Sequence, residues 1–204
     1  AGFIRLRCLR EYEQAEAWAV QALELSEQHQ LPFFAAGNRV VLGAARSQLG
    51  RATEGIALVR RGVADLLELG VRQNIGWTTA ELAAALGQAG ATDEALEEVE
   101  RALRANQELV YQPEILRIRG ELRLKQGQTD LAEADFREAI GLAQKMGAKA
   151  WELRVTMSLA RLLASKGRRE EAHDMLAEIY GWFTEGFDTR DLKDAKALLD
   201  ELSA

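Results

Sequence analysis

The stretch Gly120 to Ala139 reads GELRLKQGQTDLAEADFREA, and its pattern recurs along the chain. Taken alone, it is the end of one helix, a tight turn at Gly127 and the start of a second helix. The turn glycine recurs at Gly50, Gly90 and Gly167. Seven residues before each turn glycine stands a very small residue: Gly43, Ala83, Gly120 and Ala160. Five after stand Gly55, Ala95, Ala132 and Ala172; twelve after stand Gly62, Ala102, Ala139 and, breaking the rule, Ile179. Nine after comes a larger apolar residue: Val59, Val99, Phe136 and Leu176. Arg10 takes the place of the glycine in an earlier copy, with Ala15 and Ala22 at the later offsets. Small residues at these offsets let two antiparallel helices approach closely, and the larger residue fills the space beside them. Gly120 is therefore expected to lie close against its paired helix.

This arrangement resembles the tetratricopeptide repeat over nearly the whole chain. The period departs from that family: 37–40 residues here, against about 34. The excess falls between helix pairs, in LLELGVRQNIGW and LAQKMGAKAWEL. Arg39 and Arg119 stand where that family often has a large apolar residue. The resemblance implies an all-α, right-handed helical solenoid of about five helix pairs with a C-terminal capping helix; HEAT or armadillo pairs, with periods of about 40–47, are the structural alternative.

The pairs read as follows. A truncated helix before Arg10 is followed by Glu11–Gln28, and Leu31-Pro32 breaks the chain. Next come Phe33–Leu49 with Thr53–Leu69, ended by Gly70, and Gln73–Ala89 with Asp93–Glu108, where Thr92 is the expected N-cap. Pro113 opens Glu114–Gln126, paired with Asp130–Met146 and ended by Gly147. The last pair is Lys149–Lys166 with Glu170 to about Thr184. Asp93, Glu94, Asp130, Glu133, Glu170 and Glu171 fall in first turns, where carboxylates favour the helix dipole. After a stop at Gly186, the segment Asp188–Leu202 carries one apolar face, Leu192, Ala195, Leu198, Leu199 and Leu202, suited to covering the last pair. The aromatics of YGWFTEGF are expected to pack there, with a partner site as the alternative reading.

A second resemblance covers Glu121 to Leu202. AKAWELR at Ala148–Arg154 and YGWFTEGFDT at Tyr180–Thr189 resemble the C-terminal region of bacterial STAND-type signalling ATPases. In those proteins an output domain, often an adenylate cyclase or a winged helix, precedes a nucleotide-binding ATPase and then helical repeats. The resemblance implies a sensor or regulatory arm. The chain starts in the middle of a repeat, which fits a single helical-repeat domain, 1–204, cut from a longer protein.

Composition bounds the alternatives. The 204 residues are 48% hydrophobic and 28% charged, with a net charge of −6. There is no basic cluster to neutralise phosphates, which argues against nucleic acid, and no apolar run of membrane-spanning length. Cys8 is the single cysteine; it fits a reducing cytoplasm and is expected to be a small half-buried hydrophobe. The phosphate loop G-x-x-x-x-G-K-[ST] is absent, and His29 and His173 stand alone, far short of a four-ligand zinc site. The expectation is therefore a non-catalytic module without cofactor or metal.

What remains is a groove lined by the first helix of each pair. Its floor is small and apolar early, with Gly37, Val40, Ala44, Trp77, Ala80 and Ala84. Later it is charged, with Glu114, Arg117, Glu121, Lys125, Arg154 and Arg161. Trp77, Arg117, Glu121, Arg154 and Arg161 are the candidate partner-binding residues. The three arginines suit a carboxylate on a protein or peptide, or another domain of the parent. Against this stands a solvated face with internal salt bridges, such as Arg117 to Glu121. Self-assembly into a homo-oligomer is the competing functional class.

Overall fold

A computed structural model describes residues 9–71, 75–105 and 109–203, together with Gly2 and Leu6. Among these residues there are ten α-helices and no strand. The chain forms two compact units, residues 1–108 and 109–204. The first holds α1 (Tyr12–Gln28), α2 (Pro32–Gln48), α3 (Ala52–Glu68), α4 (Ile75–Gln88) and α5 (Thr92–Ala105). The second opens with a short 3-10 turn, Leu109–Tyr111, then α6 (Gln112–Lys125), α7 (Thr129–Lys145), α8 (Lys149–Ser165), α9 (Arg169–Tyr180) and α10 (Arg190–Ser203). Within each unit, helices consecutive in sequence pack on one another, and α2 also meets α4 while α6 meets α8.

The turns are built as the glycine register requires. Gly50, Gly90, Gly127 and Gly167 all have φ between 74 and 85°. Each donates its N–H to a carbonyl three residues back, and the following N–H reaches five residues back, as Gln128 does to Arg123 at 2.9 Å. Such closures satisfy helix-end carbonyls and demand a left-handed residue. Arg10 and Gln30 hold the same kind of position without being glycine, with φ of 55 and 52°. Arg10 thus does replace the turn glycine of the earliest copy.

The small residues bring the helix axes together in two ways. In the α6–α7 pair a methyl group on Gly120 would lie 2.8 Å from Cζ of Phe136, with Cε1 nearer still. Phe136 is itself fully buried, so its ring occupies the space a Cβ would take. In the α2–α3 pair the approach is backbone to backbone: a methyl on Gly43 would sit 2.6 Å from the carbonyl oxygen of Gly55, and one on Gly62 2.7 Å from that of Ala36. The later-offset residues Ala95, Ala102, Ala132, Ala139 and Ala172 are fully buried.

The arginines at expected apolar positions have partners. Arg39 reaches Asp65 and Glu27, each at 2.5 Å. Arg119 and Arg123 both donate to Asp135, at 2.7 Å, and Asp135 is 2% exposed. A carboxylate between two guanidinium groups replaces an apolar contact by a charged one at the seam of α6 and α7.

The helix α10 packs on α9 and α8, burying Leu192, Ala195, Leu198 and Leu202. Arg169 donates to the carbonyls of Leu202, at 2.9 Å, and Glu201. It thereby caps the C-terminal end of α10. Several sequence expectations need correction. The helix α9 ends at Tyr180 rather than near Thr184, because the N–H groups of Trp182 and Phe183 turn back three residues to Ile179 and Tyr180. Thr92 is the first residue of α5, not its cap, and its hydroxyl points back to the Gly90 carbonyl at 3.5 Å. Trp182 and Phe187 are 58% and 45% exposed, so half of the aromatic cluster faces solvent. Cys8 and most of the helix expected before Arg10 lie outside the described residues.

Candidate partner-binding face

The five candidate residues divide between the units. Trp77 belongs to α4 of unit 1 and is 4% exposed, so it fills the core there. The other four stand on α6 and α8 of unit 2, helices that pack on each other.

On α6, Arg117 donates through Nε and Nη2 to the two oxygens of Glu114, at 2.9 and 2.8 Å. Its Nη1 lies 3.5 Å from Glu121. Glu121 in turn accepts a 2.7 Å hydrogen bond from the Ser158 hydroxyl on α8. One turn earlier on α8, Arg154 donates to Asp191 of α10 at 2.7 Å and stacks over the Trp151 ring at 5.2 Å. The Arg154 and Asp191 side chains are only 10 and 11% exposed. Arg161 is exposed and forms no ion pair with any described residue.

The strip is thus a polar chain in which Arg117 and Arg154 are each held by a carboxylate. Burial makes these pairs costly to open, since either charge left alone would be stranded in a low-dielectric seam. The groups that present themselves to solvent are Arg161 and the partly exposed Glu121. The sequence paired Arg117 with Glu121 one turn on; the structure keeps that contact at 3.5 Å but gives Arg117 its shorter bonds to Glu114, at i,i+3. Asp191 was not singled out, although it stands 37 residues after Arg154, one repeat length on.

The same signal marks a second set of residues whose pairing sequence reading passed over. Opposite charges 33 to 36 residues apart join successive repeats. In unit 1, Arg51 pairs with Glu16 at 2.5 Å and Arg60 with Glu94. In unit 2, Glu133 accepts from Arg168 at 2.8 Å, Lys166 at 3.0 Å and Arg137 at 2.9 Å, while Arg137 also reaches Glu171. Glu133 thus lies beyond the first turn of α7 and is the hub of a network. Hydrogen bonds from Arg137, Lys166 and Arg168 hold its carboxyl down to about 2. The Arg51 hydrogen bond lowers Glu16, and those from Arg168 and Arg137 lower Glu171.

No group of three or more His, Cys, Asp or Glu side chains suited to a metal ion occurs among the described residues. No described helix is long and apolar enough to cross a membrane.

The fold class these elements define is an all-α, tetratricopeptide-like helical solenoid. Residues 118–146, the α6–α7 pair, match the tetratricopeptide repeat model. No curated protein shows significant sequence similarity to the chain. Among solved structures, it is similar to a signal transduction ATPase with numerous domains (STAND) bearing a tetratricopeptide repeat sensor, from Pyrococcus horikoshii. The TM-score is 0.70 at 18% identity, over 94% of this chain but only 30% of that one. A tetratricopeptide repeat protein of Thermus thermophilus gives 0.67 at 23% identity, over 96 and 95% of the two chains. The apo form of the quorum sensor NprR from B. thuringiensis gives 0.69 at 16% identity, over 99% of this chain and 55% of that one.

Proposed function

We propose that residues 1–204 form one helical-repeat domain that acts as a non-catalytic protein-interaction and sensor module of a multidomain bacterial signalling ATPase. The observation that carries this reading is the repeat match at residues 118–146. The STAND-like sequences at Ala148–Arg154 and Tyr180–Thr189 support the context, and so does the likeness of the chain to under a third of a STAND protein. The parent's output domain, a cyclase or a DNA-binding regulator, lies outside this chain in the proposal. The partner is a protein or peptide, or another domain of the parent, met by the α6–α8 strip.

Arg161 is the residue to test, because Arg154 and Arg117 are held internally and their loss would disturb the fold. Arg161→Glu should weaken capture of the parent's ATPase region while leaving the helical signal and melting unchanged. Equal binding by wild type and variant would remove the strip from the mechanism. A gene whose coding sequence upstream of Ala1 holds no nucleotide-binding domain would remove the signalling ATPase.

Self-assembly of the parent is a second reading, favoured by the exposed aromatics Trp182 and Phe187 on the α9–α10 turn. It predicts a dimer in sedimentation that Trp182→Ser dissociates; a wild-type monomer at high concentration would end it.

A further inference from the structure

A cleft of about 660 Å³ opens in unit 1. Residues from the C-terminal ends of α1 and α3 and from the first turn of α2 line it. Gln30, Leu31 and Pro32 line it from one side; Asp65, Glu68 and Leu69 line it from another. Its volume falls in the range that takes a small ligand or a short chain segment rather than a lone ion.

The charges in the cleft are unequally satisfied. Arg39 bridges Glu27 of α1 and Asp65 of α3, and Arg61 donates to Asp65 at 3.0 Å. Arg39 is therefore held from both sides, while the largely exposed Arg61 is held through Nε alone. Glu68 has neither a hydrogen bond nor an ion pair to any described residue, and it is exposed. Three carboxylates thus face two cations. Two helices also end here, and the negative ends of their dipoles favour positive charge. The rest of the lining mixes polar Ser26 and Gln30 with apolar Leu31, Pro32, Ala35 and Leu69, and Leu31 and Leu69 are accessible, at 45 and 44% exposed.

We propose that this cleft binds a basic side chain of an extended peptide, lysine or arginine with an apolar residue beside it. The cationic head sits at Glu68 and Glu27. Its methylene stem and the apolar neighbour lie along Leu31, Pro32 and Leu69, as long cationic side chains do on apolar surface. The site goes beyond the α6–α8 strip, and its success or failure is independent of it.

The test is an amide NMR titration of the isotope-labelled chain, at low salt, with acetyl-Leu-Arg-Leu-amide and with acetyl-Leu-Glu-Leu-amide. The arginine peptide should give saturable shifts at Leu31, Glu68 and Leu69, and the glutamate peptide none. Glu68→Gln, which breaks no hydrogen bond or ion pair among the described residues, should weaken the arginine peptide about fivefold. The proposal is overturned by equal shifts from both peptides, by an absence of saturation, by an unchanged affinity in Glu68→Gln, or by shifts confined to α6 and α8.

Discussion

Replacing Gly120 by alanine places one methyl group where the Phe136 ring already is. The new carbon would lie 2.8 Å from Cζ and 2.9 Å from Cδ1, well inside the roughly 3.5–4.0 Å of a relaxed carbon contact. The ring is fully buried and cannot swing out, so Gly120→Ala should cost about 1–3 kcal/mol through overpacking. Phe136→Leu alone should cost about 1–2 kcal/mol through the cavity it leaves. The chain itself shows that the combination works. In the next repeat Ala160 and Leu176 occupy the equivalent positions, and both are buried. The double variant reproduces that pair, so its destabilisation should fall short of the sum of the two singles by at least about 1 kcal/mol. Urea denaturation followed by circular dichroism measures this, provided the slope stays constant across the four proteins. Strictly additive losses would refute the reasoning, because they would mean that the two positions do not share one space. A control lies in unit 1. Gly43→Ala meets the Gly55 backbone, which no side-chain swap can clear, so Val59→Ala should not rescue it.

Acid should weaken the protein through Glu133. Its carboxyl sits at about 2 in the folded state against an ordinary 4.5, so its contribution is whole above pH 4.5 and is lost as pH falls from there through 2. Screening by solvent at its partners brings that contribution to about 1–3 kcal/mol. Glu133→Gln should flatten the melting-temperature profile in this window; an unchanged acid slope would contradict the assignment. Asp135→Ala strands Arg119 and Arg123 in the α6–α7 seam and should cost about 3 kcal/mol or more, measured as a fall in denaturation midpoint. A loss below about 0.5 kcal/mol would show the triad to be inert. Gln30→Gly should stabilise by about 1 kcal/mol, because only glycine holds a φ of 52° without a Cβ penalty. A lower melting temperature would refute this.

The turn glycines and small residues were legible because they obey a local geometric rule. A left-handed closure needs glycine, and a close crossing needs a missing side chain, so each position betrays itself by residue type. Gly43, Gly55, Gly62 and Gly120 all sit where the spacing put them. Helix ends were legible to within a turn, failing most at Tyr180, where three-residue backbone closures compete with helix continuation. The charged strip was only half legible. Its positions on α6 and α8 follow from helical periodicity, but whether an arginine is free or held depends on the neighbouring repeat. Arg154 meets Asp191 and Ser158 meets Glu121 across 37 residues, and nothing in the local pattern of either helix marks the partner. Trp77 and Trp182 show the same limit from the other side. Trp77, read as lining the groove, is buried, and Trp182, expected to pack, is exposed.

The ion pairs that join residues 33 to 36 apart have a mechanical consequence. In a repeat array, cooperativity resides in the coupling between neighbours, not in the stability of each repeat taken singly. Here part of that coupling is carried by charges near the surface, such as Arg51 with Glu16 and Arg168 with Glu133. Raising ionic strength shortens the reach of those charges to a few ångströms while leaving the apolar seams intact. Each unit should then unzip repeat by repeat in concentrated salt instead of melting as a block, so that ionic strength sets how far a disturbance at one helix pair travels along the array.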